Sequence, residues 1–114
     1  MFKRGEVVLV LFPNTDLVTY KRRPALVVQA DDLETGLPQV VLAMITSNLA
    51  RRHHPSRVFA ALHSASMRDA GLLTDSVIMT DNLASVLNKA VVKKLGRFAD
   101  MKAVDEALRR TLAL

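Results

Sequence analysis

Apolar residues in this chain gather in short runs divided by polar, glycine- or proline-bearing breaks. Glu6 to Phe12 and Ala25 to Ala30 are nearly continuous apolar, β-branched stretches, the pattern of strands buried on both faces. Gln39 to Ile45 is a third run of this kind. Val58 to Leu62 predicts a fourth strand, and Asp75 to Thr80 and Leu83 to Leu87 predict two more, parted by Asp81-Asn82. The first break opens with the turn-rich Pro13-Asn14-Thr15-Asp16 and continues as Leu17 to Lys21, a mixed segment placed to fold over a site as a lid. Glu34 to Pro38 supplies the next turn, Ser47 to Arg57 a polar and basic loop, and Ala70-Gly71-Leu72 the turn into the fifth run.

From Asn88 the pattern admits two readings. One is a short helix capped by Asn88, running to Leu95 and stopped by Gly96; the other is a strand over Val91 to Phe98. Beyond it, Met101, Val104, Leu108 and Leu112 share one helical stripe, with Ala107 and Thr111 alongside. Asp100 is placed as the N-cap, and Arg109 and Arg110 suit the negative pole of the helix. Many short strands with turns between them and one terminal helix predict a mainly β fold, a compact antiparallel barrel-like sheet closed by that helix. No repeat or linker divides residues 1 to 114, a length that suits one domain of about 100–150 residues.

Composition narrows the partners. A net charge of +5 favours a polyanion, either nucleic acid or an acidic protein segment. No apolar stretch approaches the roughly 20 residues of a membrane helix. The N-terminus runs into a strand pattern without the apolar region of a secretory signal, so a cytoplasmic protein is expected. With no cysteine there is no disulfide or thiolate chemistry, and three histidines, two of them adjacent, do not form a zinc spacing. Neither metal nor cofactor is expected.

Chemically capable residues stand at the ends of the apolar runs. Lys21, Arg22 and Arg23 precede Pro24 at the mouth of the second strand; a guanidinium stays charged and grips phosphate through a planar fork, and the proline restricts where Arg23 points. Thr46 ends the run from Val40 to Ile45, where its hydroxyl can donate to a phosphate oxygen, and Ser47 and Asn48 follow it. His53 and His54 lie in the basic segment Arg51 to Arg57, with Arg51 and Arg52 beside them as phosphate contacts. Tyr20 is the single tyrosine and there is no tryptophan, so aromatic stacking extends to one base at most. Asp81, read alone, is half of a turn-forming Asp-Asn pair.

Gly-Glu-Val-Val-Leu-Val from Gly5, followed by Arg-Arg-Pro-Ala-Leu-Val-Val from Arg22, resembles the PemK/MazF family of toxin endoribonucleases. The resemblance continues through Leu42 to Ser47 and Asp75 to Asp81, and so covers nearly the whole chain. It implies an SH3-like barrel, a homodimer, an acidic antitoxin partner, and metal-independent cleavage of single-stranded RNA that leaves a 2′,3′-cyclic phosphate and a 5′-hydroxyl. It favours a helical turn and then a strand after Asn88. It implies catalytic roles for Arg23, Thr46 and Asp81; RNA contacts are expected, from the residues themselves, of Tyr20, Lys21, Arg22, Ser47, Asn48, Arg51, Arg52, His53 and His54. The chain departs from the family where Met79 occupies a position at which some members carry arginine, and in Leu83-Ala84-Ser85. Those departures keep a second expectation open: a non-enzymatic binder on the same fold, either RNA-binding or gyrase-poisoning.

Overall fold

A computed structural model describes residues 2–13 and 16–114. Among these residues, strands β1 (Glu6–Pro13), β2 (Tyr20–Val27), β3 (Gln39–Thr46), β4 (Arg57–Ala60), β5 (Ser76–Leu87) and β6 (Val91–Arg97) precede one helix, α1 (Met101–Leu112). They form an antiparallel sheet in the order β4-β5-β3-β2-β1-β6. The fold is mainly β and SH3-like as expected. Its sheet is open, however: β4 and β6 are its edges and do not pair with each other among the described residues.

Several expected boundaries move, among them β4, which runs from Arg57 to Ala60 instead of from Val58 to Leu62. β2 begins at Tyr20 rather than Ala25, because Lys21, Arg22 and Arg23 pair with Phe12, Leu11 and Val10 of β1 although their side chains are exposed. An apolar run marks burial, whereas strand pairing needs only backbone partners. β2 also ends at Val27 instead of Ala30. The two strands expected on either side of Asp81-Asn82 are one, β5. Ala43 opposes Leu83 and Met44 opposes Met79, so Thr80, Asp81 and Asn82 bulge from the ladder without ending the strand. After Asn88 the chain makes one 3₁₀ turn, Asn88–Ala90, and then enters β6. Of the expected lid, Asn14 and Thr15 lie outside the described residues, while Asp16 to Thr19 are exposed.

Strand alternation divides the apolar side chains between two faces. One core cluster unites Val7, Leu26, Ala43, Ile45 and Ile78 with Phe98 and with Val104 and Ala107 of α1. The other packs Val8, Val10, Ala25, Val27, Leu42 and Met44 on the opposite face. Asp100 caps α1 by accepting from the Ala103 amide at 3.2 Å. Arg4 ties the N-terminal segment to the same helix, donating to Asp105 at 2.5 Å and to the Val28 carbonyl at 2.9 Å. The stripe is buried at Val104 and reaches solvent at Leu112, which is 50% exposed. Among the described residues no helix is long and apolar enough to cross a membrane.

Two glycines position the segment before β5. A Cβ on Gly96 would collide with the Asp69 carbonyl, and one on Gly71, whose φ is +75°, with the Leu95 carbonyl. Their absence lets residues 69–71 lie directly on β6, where the Arg97 amide donates to Asp69 at 2.8 Å.

Candidate active site

The β2–β3 ladder runs from Val27 opposite Leu42 to Ala25 opposite Met44 and stops there. Pro24 is next on β2 and has no amide proton to continue it. Extending the register by two residues sets Arg23 across from Thr46. Both line a cavity of about 450 Å³ at this open end. Lys21 and Arg22 of β2, Ser47 after β3 and Lys93 of β6 share its rim, with Thr74 from the segment before β5 and Ser76 from the first position of β5. Leu9, Pro24, Ile45, Leu72 and Leu95 supply the apolar lining. Alternation assigns Arg22 to the helix-covered face with Leu26, and Arg23 to the other with Ala25; the cavity at the strand end meets both.

Four cations and no carboxylate line this cavity. Lys94, beside Lys93, is instead drawn to the buried Glu6, which also accepts the Lys3 amide at 2.5 Å. Burial raises the Glu6 carboxyl, but Lys94 and the Lys3 amide outweigh it and hold Glu6 below its ordinary value. That ion pair leaves Lys93 as the β6 cation facing the cavity. Half-buried Thr46 accepts the Asn48 amide on its hydroxyl oxygen at 3.1 Å, which fixes the oxygen while its proton remains to be donated. A site with several cations, an oriented hydroxyl and no competing carboxylate suits an anion and charge growing on it.

The remaining expected site residues lie elsewhere. Asp81 does not line the cavity. It accepts from Arg57 Nε at 2.9 Å and Nη2 at 3.2 Å, a bidentate pair across β5 and β4. Burial raises its carboxyl, and the Arg57 guanidinium more than offsets this, holding Asp81 below the usual aspartate range. Residues 47–56 form a succession of tight turns: the amides of Arg52, His54 and Arg57 donate to the carbonyls of Leu49, Arg51 and His54. His54 Nδ1 accepts the Ser56 amide at 3.1 Å, and the Ser56 carbonyl accepts both the Thr80 amide and the Thr80 hydroxyl, the latter at 2.6 Å. The loop is thereby fastened to the β5 bulge and carries Arg52 and His53 into a separate depression with Arg57, Phe59 and Arg110. There the His53 ring meets Phe59 edge-on at 6.5 Å. Tyr20, 62% exposed, opens β2, and Asn48 turns back to accept the Ala50 amide. Met79 packs on the second core cluster and does not line the cavity.

Sequence reasoning passed over Lys93, Leu72 and Thr74. The available signal was the Lys93-Lys94 pair in a strand, since alternation sends two adjacent lysines to opposite faces and only one can meet Glu6.

The family profile of the PemK-like, MazF-like toxins of type II toxin–antitoxin systems matches residues 3–112. The chain belongs to this family. Among relatives of the toxin family, Endoribonuclease MazF6 of Mycobacterium tuberculosis and Endoribonuclease MazF2 of Mycobacterium bovis are each 35% identical over 97 residues, covering 82% of this chain and 81% of theirs. A mycobacterial endoribonuclease solved in complex with its cognate antitoxin superposes with a TM-score of 0.75 at 22% identity, covering all of this chain and 97% of the other. A MazE–MazF structure from Deinococcus radiodurans gives 0.72 at 19% identity, covering 99% and 97%. The PemK/MazF resemblance read from the strand motifs is thus borne out, and the toxin fold is shared across its length.

Proposed function

We infer that the protein is an endoribonuclease toxin that cleaves single-stranded RNA in the cavity between β2 and β3. The convergence of Arg23 and Thr46 at the open ladder end, among cations and without a carboxylate, carries this reading. The 2′-oxygen of the substrate attacks the adjacent phosphorus as its proton leaves; the bond to the 5′-oxygen breaks, and a proton is delivered there. Products are a 2′,3′-cyclic phosphate and a 5′-hydroxyl. Arg23 stabilises the negative charge of the phosphorane through its fork, and the Thr46 hydroxyl donates to a non-bridging oxygen. Asp81, held by Arg57, anchors β4 to the β5 bulge in this scheme and takes no part in the reaction. Arg51, Arg52, His53 and His54 bind RNA beyond the reacting phosphate.

An acidic antitoxin and a homodimer belong to the same reading, supported by the solved relatives that hold an antitoxin. So does a cytoplasmic location, where messenger RNA is available. Incubation of the purified protein with long RNA in EDTA, followed by mapping of the new ends, tests it. Cyclic phosphate and 5′-hydroxyl ends are expected. RNA binding without cleavage, or 3′-hydroxyl ends, would replace this reading with the non-enzymatic binder or with a different chemistry.

A further inference from the structure

β4 is an edge strand, and its pairing with β5 leaves peptide groups unused. The Thr80 amide donates to the Ser56 carbonyl at 3.1 Å, so the antiparallel pattern turns the backbone of Ser56, Val58 and Ala60 toward β5 and that of Arg57 and Phe59 away from the sheet. The Arg57 amide is taken by the His54 carbonyl at 2.9 Å. The Arg57 carbonyl and the Phe59 amide and carbonyl have no hydrogen-bond partner among the described residues. Such an edge is a template for another strand.

A depression of about 440 Å³ follows this edge. Val58 packs beneath α1 with Val104 and Ala107, whereas alternation sends Phe59 to the opposite face, so a depression that touches both lies along the free side of the strand. Its far wall is α1, where Ala103 and Ala107 leave room for a backbone beside β4. Of the charged groups that line it, Arg57 is held by Asp81 and Asp100 caps α1. Arg52 and Arg110, both exposed and without an acidic partner among the described residues, then face Glu106 alone, an excess of positive charge on a chain that carries +5 overall.

We propose that the β4 edge docks an extended, acidic segment of a partner protein as an added strand. The segment's backbone meets the Phe59 amide and carbonyl and the Arg57 carbonyl, and its carboxylates meet Arg110 and Arg52. RNA has no alternating row of amides and carbonyls to complete the edge. A second β4 would bring Arg52, Arg57 and Arg110 against the same cations. The depression shares no lining residue with the cavity of Arg23 and Thr46, so the docking stands apart from the ribonuclease reading, and a docked segment withdraws Arg52 from RNA.

Fluorescence anisotropy of a labelled, end-capped Glu-Val-Glu-Val-Glu peptide measures the docking, and amide exchange at Phe59 locates it. The acidic peptide is expected to bind about tenfold more tightly than Lys-Val-Lys-Val-Lys and to slow exchange of the Phe59 amide. N-methylation of its glutamates or of its valines gives two probes. One should lose binding and the other keep it, because only alternate amides face β4. Arg110→Glu should weaken binding by about tenfold, at an exposed position where the fold is preserved. Phe59→Pro removes an outward amide that β5 does not use and should weaken binding likewise; the methylated peptides test the same pairing without altering the protein. Absence of binding, equal tolerance of both methylated peptides, or an affinity unchanged by Arg110→Glu would overturn the docking. So would slowed Phe59 exchange on adding a single-stranded oligonucleotide instead of the peptide, or on concentrating the protein alone, which would give the edge to RNA or to a second copy.

Discussion

Arg23 and Thr46 show how much a single position depends on what stops beside it. Pro24 ends the β2–β3 ladder, and Arg23 and Thr46, still paired to β1 and β5 on their other sides, flank the opening it leaves. Arg23→Ala should lower kcat by about 10²–10³-fold while leaving the melting temperature unchanged, and Arg23→Lys should recover little, because a point charge lacks the fork. Thr46→Val keeps the shape and strand preference but removes the donor, and a loss of about a hundredfold in kcat is expected with RNA affinity retained. Single-turnover cleavage beside thermal melts reads both. Asp81→Asn provides the contrast. Cleavage should persist, and stability should fall by about 0.5–1 kcal/mol, the range of a partly exposed ion pair. Because the folded Asp81 carboxyl lies below its ordinary 3.8, that contribution is complete above 3.8 and disappears as pH falls through the lower folded value.

At the level of elements, the β1–β6 edge combines two cations with different duties. Lys94 neutralises the buried Glu6, whereas Lys93, one residue earlier and on the other face, reaches the cavity. Glu6 is 5% exposed and its carboxyl is held below the ordinary 4.5, so its stabilisation is full above 4.5 and is lost as pH drops through the folded value. Glu6→Gln should therefore cost about 2 kcal/mol at neutral pH, the scale of a hydrogen bond to a charged group, and should flatten the acid side of the stability curve. Urea unfolding at a series of pH values measures it. A variant whose acid limb matches the wild type would show that Glu6 titrates alike in the folded and unfolded protein, so that its pairing with Lys94 adds no pH-dependent stability.

Over the whole molecule, two groups of basic residues stand apart from each other. The cavity gathers one group, and the turns of residues 47–56 direct Arg52 and His53 toward β4 and α1. Neutralising Arg51 and Arg52 together should weaken RNA binding and reduce the slope of log affinity against log salt by about 1.4 if each meets one phosphate of a single strand, with the rate at saturation retained. An unchanged slope would mean that this loop stays solvated in the complex. What the sequence by itself determined was the local content: apolar runs for the strands, Asp100 and its stripe for α1, Pro24 beside Arg23, and motifs in an order that belongs to one toxin family. Strand alternation, capping and proline chemistry act over a few residues, and so they can be read from a few residues. Only the tertiary structure decided that β5 bulges through Asp81 instead of breaking there, that Arg57 takes that carboxylate, and that Lys93 and Leu72, far along the chain, complete the cavity opened by Arg23 and Thr46. Those outcomes follow from register and close backbone approach between distant segments, which leave no short-range pattern in the sequence.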